Sequence, residues 1–198
     1  PSMKTLKGLL LATLACLAMT CKAEQPVLQL ATLEYPPYIS NIDGHAQGMV
    51  PDIINEAFRR MGRPIEINIY PWSRSLALLA SGEVAGLFSI KKTPEREAIF
   101  RYPKETLISQ DYVFFVRKGS GVHFDGDYAS LAKARIGVVK NNSYGMRFDE
   151  AAKRKAFFRL EVAYDYELCF RMLLLDRIDA VMISRQVGMN FVKKLGAG

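Results

Sequence analysis

Histidine, cysteine and tryptophan are scarce in this chain of 198 residues, which has two, three and one of them. His45 and His123 stand far apart in polar, glycine-containing segments. They lack the spacing of a metal pair, which argues against a zinc site of the usual histidine and cysteine ligands. No glycine-rich phosphate loop, Gly-x-Ser-x-Gly elbow or zinc motif occurs. With no acid–base pair to name either, the chain reads as a non-enzyme that needs no metal or cofactor. Apolar runs are also short, and none reaches the ~20 residues that a membrane-spanning helix needs. Repeats and low-complexity tracts are absent, and the composition is that of an ordinary soluble globular protein.

The net charge is +7. The basic residues are scattered, as in Arg59-Arg60, Lys91-Lys92 and Lys153 to Lys155, with no interleaved aromatics on which bases could stack. Nucleic acid is therefore not an expected partner. Met3, Lys4 and Lys7, the apolar run Leu9 to Met19 and then Cys21-Lys22-Ala23 read as a secretory signal cleaved after Ala23. Pro1 and Ser2, ahead of Met3, read as cloning residues. Cleavage there removes Lys4, Lys7 and Lys22 and no acid, so the charge falls from +7 to +4. It also leaves Cys169 as the sole cysteine, a small buried hydrophobe by its apolar neighbours, with no intramolecular disulfide. Processing before Cys21 would instead leave a lipid anchor, but Ala18-Met19-Thr20 matches that signal poorly, so a free periplasmic or secreted protein is expected.

The mature chain alternates strand and helix patterns. Residues 27–32 read as a strand that the two prolines of Glu34-Tyr35-Pro36-Pro37-Tyr38 terminate. A helix from about Pro51 to Met61 follows, with Ile53, Ile54, Ala57, Phe58 and Met61 on one face and Gly62 as its stop. Pro64 to Tyr70 is the next strand. Leu76, Leu79 and Ala80 then recur at helical spacing, and the nearly continuous apolar run Ala85 to Ile90 reads as a buried parallel strand. Leu107 to Arg117 is β-rich without a helix. A second β-α-β-α-β set begins at Arg135–Val139 and continues with a helix started by the loop Lys140 to Gly145. A strand over 159–163, a helix over 166–175, a strand over 178–183 and a final helix over 184–194 complete it. The segments before two of the strands, Leu79 to Val84 and Leu173 to Ile178, echo one another.

The polar end of the Tyr70 to Arg96 stretch lies at a strand's carboxyl edge, where open α/β sheets bind small ligands. Ser89 offers backbone groups there, and Arg96 adds a planar fork suited to a carboxylate. Spacing alone leaves Arg96 a solvated arginine, Trp72 a core or rim residue, and Tyr35 and Tyr38 a cover for the adjacent helix. Asn142 or Ser143 would equally serve as a helix N-cap. Ser89-Ile90-Lys91-Lys92 matches the Ser-x-x-Lys of acyl-transfer enzymes, but its serine ends a strand rather than starting a helix, and neither Ser-Asp-Asn nor Lys-Thr-Gly occurs.

Gly82-Glu83-Val84-Ala85, the apolar strand and Thr93-Pro94-Glu95-Arg96, taken together, resemble the signature of the type II periplasmic solute-binding proteins, amino-acid branch. The resemblance covers nearly all of residues 27 to 195. It implies an α/β fold of two lobes, each a βαβαβ parallel-type sheet with helices on both faces. Residues 24–107 would form the first lobe, 108–118 the hinge crossing and 119–198 the second lobe. It also implies a ligand carboxylate held by Ser89, Lys91 and Arg96, rings of Tyr35 and Trp72 against the ligand, and Asn142 and Ser143 contacting it from the second lobe. Family members continue through a second hinge strand and return helices, so the first lobe is expected to be incomplete. Those that bind α-amino acids place an aspartate where Ser184 stands, and a threonine or serine where Lys91 stands. Glu34 is then the one nearby acid for a ligand ammonium, and a ligand more anionic than a neutral amino acid is expected. The implied role is capture of a small carboxylate-bearing molecule for an inner-membrane ABC permease. The alternatives are a ligand-sensing module of a signalling system and a dehydratase-like enzyme on the same fold.

Overall fold

The computed structural model describes residues 25–197, which form a three-stranded parallel sheet and a four-stranded mixed sheet. The signal segment and Cys21 lie outside the described residues. In the first lobe β1 (Leu28–Thr32) is flanked by β4 (Ile65–Ile69) and β5 (Gly86–Leu87), both parallel to it. A small hairpin of β2 (Ser40–Ile42) and β3 (His45–Gln47) turns at Asp43-Gly44 and lies beside β4. Helix α1 (Met49–Arg60) connects to β4, and α2 (Trp72–Ser81) connects β4 to β5. Gly82 ends α2 at φ 77, a left-handed cap that glycine adopts without a Cβ penalty.

In the second lobe the order is β6 (Tyr112–Val116), β9 (Ala180–Ser184), β7 (Arg135–Val139) and β8 (Arg159–Ala163), with β6 antiparallel to β9. Helices α4 (Met146–Lys153), α5 (Tyr166–Leu174) and α6 (Arg185–Lys194) join and follow these strands, and the short α3 (Pro94–Glu97) precedes β6. Most of the core sits in this lobe. Strand β6 sends Phe114 to a cluster with Phe124, Tyr128 and Phe148, and Phe115 to Phe170, which in turn stacks on Phe191. A Cβ on Gly188 would lie 2.1 Å from the Phe115 ring, so only glycine lets α6 pack this closely. Arg135 closes the amino end of the sheet with a two-pronged pair to Asp179, its Nη2 donating to Oδ1 at 2.7 Å and its Nε to Oδ2 at 3.0 Å. At the far edge β8 pairs, among the described residues, only with β7, and Phe158 before it, Val162 on it and Tyr164 after it are 71%, 61% and 71% exposed.

Several expectations need correction. The apolar run 85–90 forms a ladder only over Gly86–Leu87, because Ser89 turns to φ 62 and leaves the extended region. Of the run 107–117 only Tyr112–Val116 is strand. Neither Asn142 nor Ser143 caps α4. Its N-cap is Gly145, and the Ser143 hydroxyl donates instead to Asp149. The last strand begins two residues late, at Ala180, since Asp179 is held by Arg135. Helix α1 buries Val50 and Pro51 but leaves Ile53, Ala57 and Met61 exposed, because the first sheet has three strands and offers a narrow face.

Cys169 is fully buried on α5, and burial pushes its thiol up to about 12. We expect it to resist iodoacetamide in the folded protein at pH 8 and to react at once in denaturant, since only a solvent-exposed thiolate attacks. Stoichiometric labelling within minutes under native conditions, read by mass spectrometry, would contradict this packing.

Candidate functional site

Both sheets present their strand carboxyl ends to the same cleft, so the loops after β1, β4 and β5 meet those after β7, β8 and β9. Tyr35 enters it from the loop after β1. Hydrogen bonds from Tyr35 N to Ile39 O and from Ile39 N to Tyr35 O close this loop around the two prolines. The Tyr35 hydroxyl donates to Gln110 Oε1 at 3.0 Å and shares a hydrogen bond with the Tyr112 hydroxyl at 3.2 Å. Its ring centroid is 6.1 Å from that of Tyr166.

Trp72 opens α2 behind Pro71, and its Nε1 donates to the carbonyl of Asn141 across the cleft at 3.0 Å. The same carbonyl accepts from Arg96 Nη2 at 2.9 Å. Asn141 stands at φ 61, a left-handed conformation that asparagine tolerates. Arg96 is positioned by the capping of α3, where the Thr93 hydroxyl accepts from Arg96 N at 3.3 Å and Pro94 is pre-set for the first turn. The Arg96 guanidinium also donates to Lys91 O at 2.8 Å and lies 5.5 Å from the Trp72 ring centroid. One carbonyl of the second lobe thus holds two side chains of the first. Further out, Ser73 Oγ donates to Lys140 O at 3.3 Å and Lys153 pairs with Glu95 at 3.0 Å, so the lobes are in a closed arrangement.

A cavity of 1120 Å³ extends from this cleft along the first lobe. Of the residues singled out from the sequence, Tyr35, Trp72, Ser89, Lys91 and Asn142 line it. Arg96 lies behind Trp72, against Asn141. Ser143 is buried on Asp149, which also accepts from Tyr144 N at 2.9 Å. Ser184 is buried at the end of β9 opposite Tyr112, and it borders a smaller cavity of 180 Å³. Glu34 is exposed and lines neither cavity; its charge acts on Lys194 instead. Gln110, Tyr112 and Tyr166 line the large cavity although no motif marks them. Tyr166 arrives there because Asp165 caps α5, its Oδ1 accepting from Leu168 N at 2.8 Å.

The site is cationic on one side and phenolic on the other. Burial lowers the pKa of Lys91 and of Arg96, and the field of Asp149 opposes the shift at both. Lys91 Nζ sits 3.6 Å from the Tyr112 ring centroid, a cation–π contact. Burial raises the phenols of Tyr35, Tyr112, Tyr144 and Tyr166, which keeps all four neutral and able to donate hydrogen bonds. Ser89 Oγ and Gln110 Nε2 are buried without a hydrogen-bond partner among the described residues. Among those residues no group of three or more histidines, cysteines or acids could hold a metal ion, and no helix is long and apolar enough to cross a membrane. The arrangement can hold a small polar molecule by donors from both lobes.

The family description "bacterial extracellular solute-binding proteins, family 3" matches residues 28–157. An ancestral arginine-binding protein bound to arginine superposes with a TM-score of 0.73 at 19% identity, over 85% of this chain and 74% of that one. Holo ArgBP from T. maritima does so with a TM-score of 0.73 at 20% identity, over 86% and 74%. A histidine kinase sensor domain with similarity to periplasmic binding proteins gives 0.73 at 18% identity, over 87% and 74%. No curated protein matches the chain.

Proposed function

The chain belongs to the bacterial extracellular solute-binding proteins of family 3, and within it we propose that this protein captures a small carboxylate-bearing molecule between its lobes and presents the closed form to an inner-membrane ABC permease. The observation that carries this reading is the Asn141 carbonyl, which accepts from both Trp72 and Arg96 and so exists as a contact only when the lobes are together. A ligand that touches both lobes favours the closed state by its differential affinity for it. Domain closure of this kind is a common switching motion. A periplasmic location, with the signal removed after Ala23, belongs to the same proposal.

A sensory role is the second reading, favoured by the equal likeness to the histidine kinase sensor domain. Closure would then signal to a receptor. Catalysis on the same fold has less support, because Ser89 follows a strand and no acid–base pair faces it.

Native mass spectrometry of the protein purified from the periplasm is expected to show a small molecule that denaturation releases. Trp72 is the only tryptophan. Its emission is expected to shift as protein stripped in denaturant and refolded is titrated with that released extract, while scattering reports compaction. Compaction without any change in Trp72 emission would remove the indole from the cleft. Absence of both would count against capture.

A further inference from the structure

We infer that the cleft takes a small dianion with no cationic group, such as a dicarboxylate, an inference that rests on the solute-binding reading and names its ligand class. Four cations line the large cavity, Lys91, Lys92, Arg101 and Lys104, against one acid, Glu105, which is exposed. Lys92 is paired with Glu97 at 2.7 Å. Lys91 reaches the cleft end of the cavity half-buried, its ammonium makes no ion pair or hydrogen bond among the described residues, and Arg96 beside it binds two backbone carbonyls and no carboxylate. A half-buried cation without an anionic partner favours a ligand that brings the missing charge.

Two of the rings that could receive a ligand cation are already engaged. The face of Tyr112 carries the ammonium of Lys91 at 3.6 Å, and that of Trp72 carries the guanidinium of Arg96 at 5.5 Å. Asp149 is the acid whose field reaches both cations. It does not line the cavity, and its two oxygens accept from Ser143 Oγ and Tyr144 N. At this end of the cavity a ligand ammonium would meet Lys91 and, behind Trp72, Arg96, while the lining acid Glu105 stands in solvent. Two carboxylates on one small molecule answer the unpaired charge of Lys91 and the excess of cations along the cavity wall.

Calorimetric titration with succinate, 2-oxoglutarate, L-glutamate, L-glutamine and L-arginine tests this, in the protein as it stands and in Lys91→Met and Lys91→Arg. One or both dicarboxylates are expected to bind, L-glutamate at least tenfold more weakly, and L-glutamine and L-arginine not at all. Truncating one side of a desolvated charged pair typically weakens binding by roughly 30-fold or more. Lys91→Met is expected to show that loss while Lys91→Arg stays within several-fold of the parent, with melting curves confirming that both fold. Tighter binding of L-glutamate, L-glutamine or L-arginine than of either dicarboxylate would overturn the charge assignment and leave solute capture standing. An unchanged dicarboxylate affinity in Lys91→Met would overturn it equally. If none of the five compounds binds while native mass spectrometry still shows a released small molecule, the dicarboxylate assignment falls and capture stands; if neither is seen, capture falls as well.

Discussion

Phe170→Ala is expected to destabilise the protein by about 3–5 kcal/mol, the usual loss when a large core aromatic is truncated and the cavity stays open. Phe170 is 2% exposed and lies between Phe115, at 5.4 Å between ring centroids, and Phe191, at 5.5 Å. These rings join β6, α5 and α6, so no single element can move to fill the space without disturbing the other two. Against a total stability typically of about 5–15 kcal/mol, such a loss leaves a large unfolded fraction when the protein is warmed. Urea unfolding followed by circular dichroism measures it from the shift in midpoint. A loss below about 1 kcal/mol would mean that the α5–α6 layer collapses freely and does not pack as described.

Arg96→Ala is the second large change, and its effect should appear in closure as well as in affinity. Losing one side of a desolvated charge-assisted contact costs about 2–5 kcal/mol, and here that contact is the one between the lobes, so ligand affinity should fall by roughly 30-fold or more. The guanidinium ties Lys91 O of the first lobe to Asn141 O of the second, and without it the ligand-free protein should populate open forms more heavily. Apparent affinity falls in proportion to the fraction of closure-competent molecules. Small-angle scattering of ligand-free Arg96→Ala should therefore give a larger radius of gyration than the parent. Arg96→Lys should not restore it, because an ammonium lacks the fork that reaches both carbonyls. An unchanged affinity together with an unchanged radius would return Arg96 to the solvated surface.

The repeated sheet architecture was legible because periodicity and chain order carry it. Arg135–Val139 and residues 159–163 are strands where the apolar pattern places them, and the helix bearing Leu76 and Leu79 crosses to a parallel neighbour. The shortness of β5 was not legible. A mostly apolar run of six residues looks the same whether or not the backbone at Ser89 turns left-handed, as it does at φ 62. Parts of the site were hidden for similar reasons. Glu34 and Tyr35 are adjacent, yet neighbours in an extended segment point to opposite sides, so the buried phenol leaves its acidic neighbour in solvent. Ser143 had the sequence position of a cap, but Asp149, six residues on, offered its hydroxyl a charged acceptor. Gln110 joins the cleft from irregular chain, and it is brought there by the pairing of Tyr112 with Ser184 two residues later. No local pattern records such a convergence.

The free edge of β8 has a consequence for handling the protein in concentrated solution. Its outer backbone groups have no strand partner among the described residues, and Val162 on it and Phe158 and Tyr164 at its ends are exposed. A strand of that kind is a template for aggregation through edge-to-edge pairing with other chains. Arg159 and Glu161 interrupt the apolar positions and pair with each other at 2.7 Å. They act as gatekeepers, because a chain adding in register would have to place charge against charge or strip both of water. High salt screens exposed charges of this kind. Storage at low ionic strength therefore protects this edge better than the high-salt buffers often used to keep basic proteins dispersed.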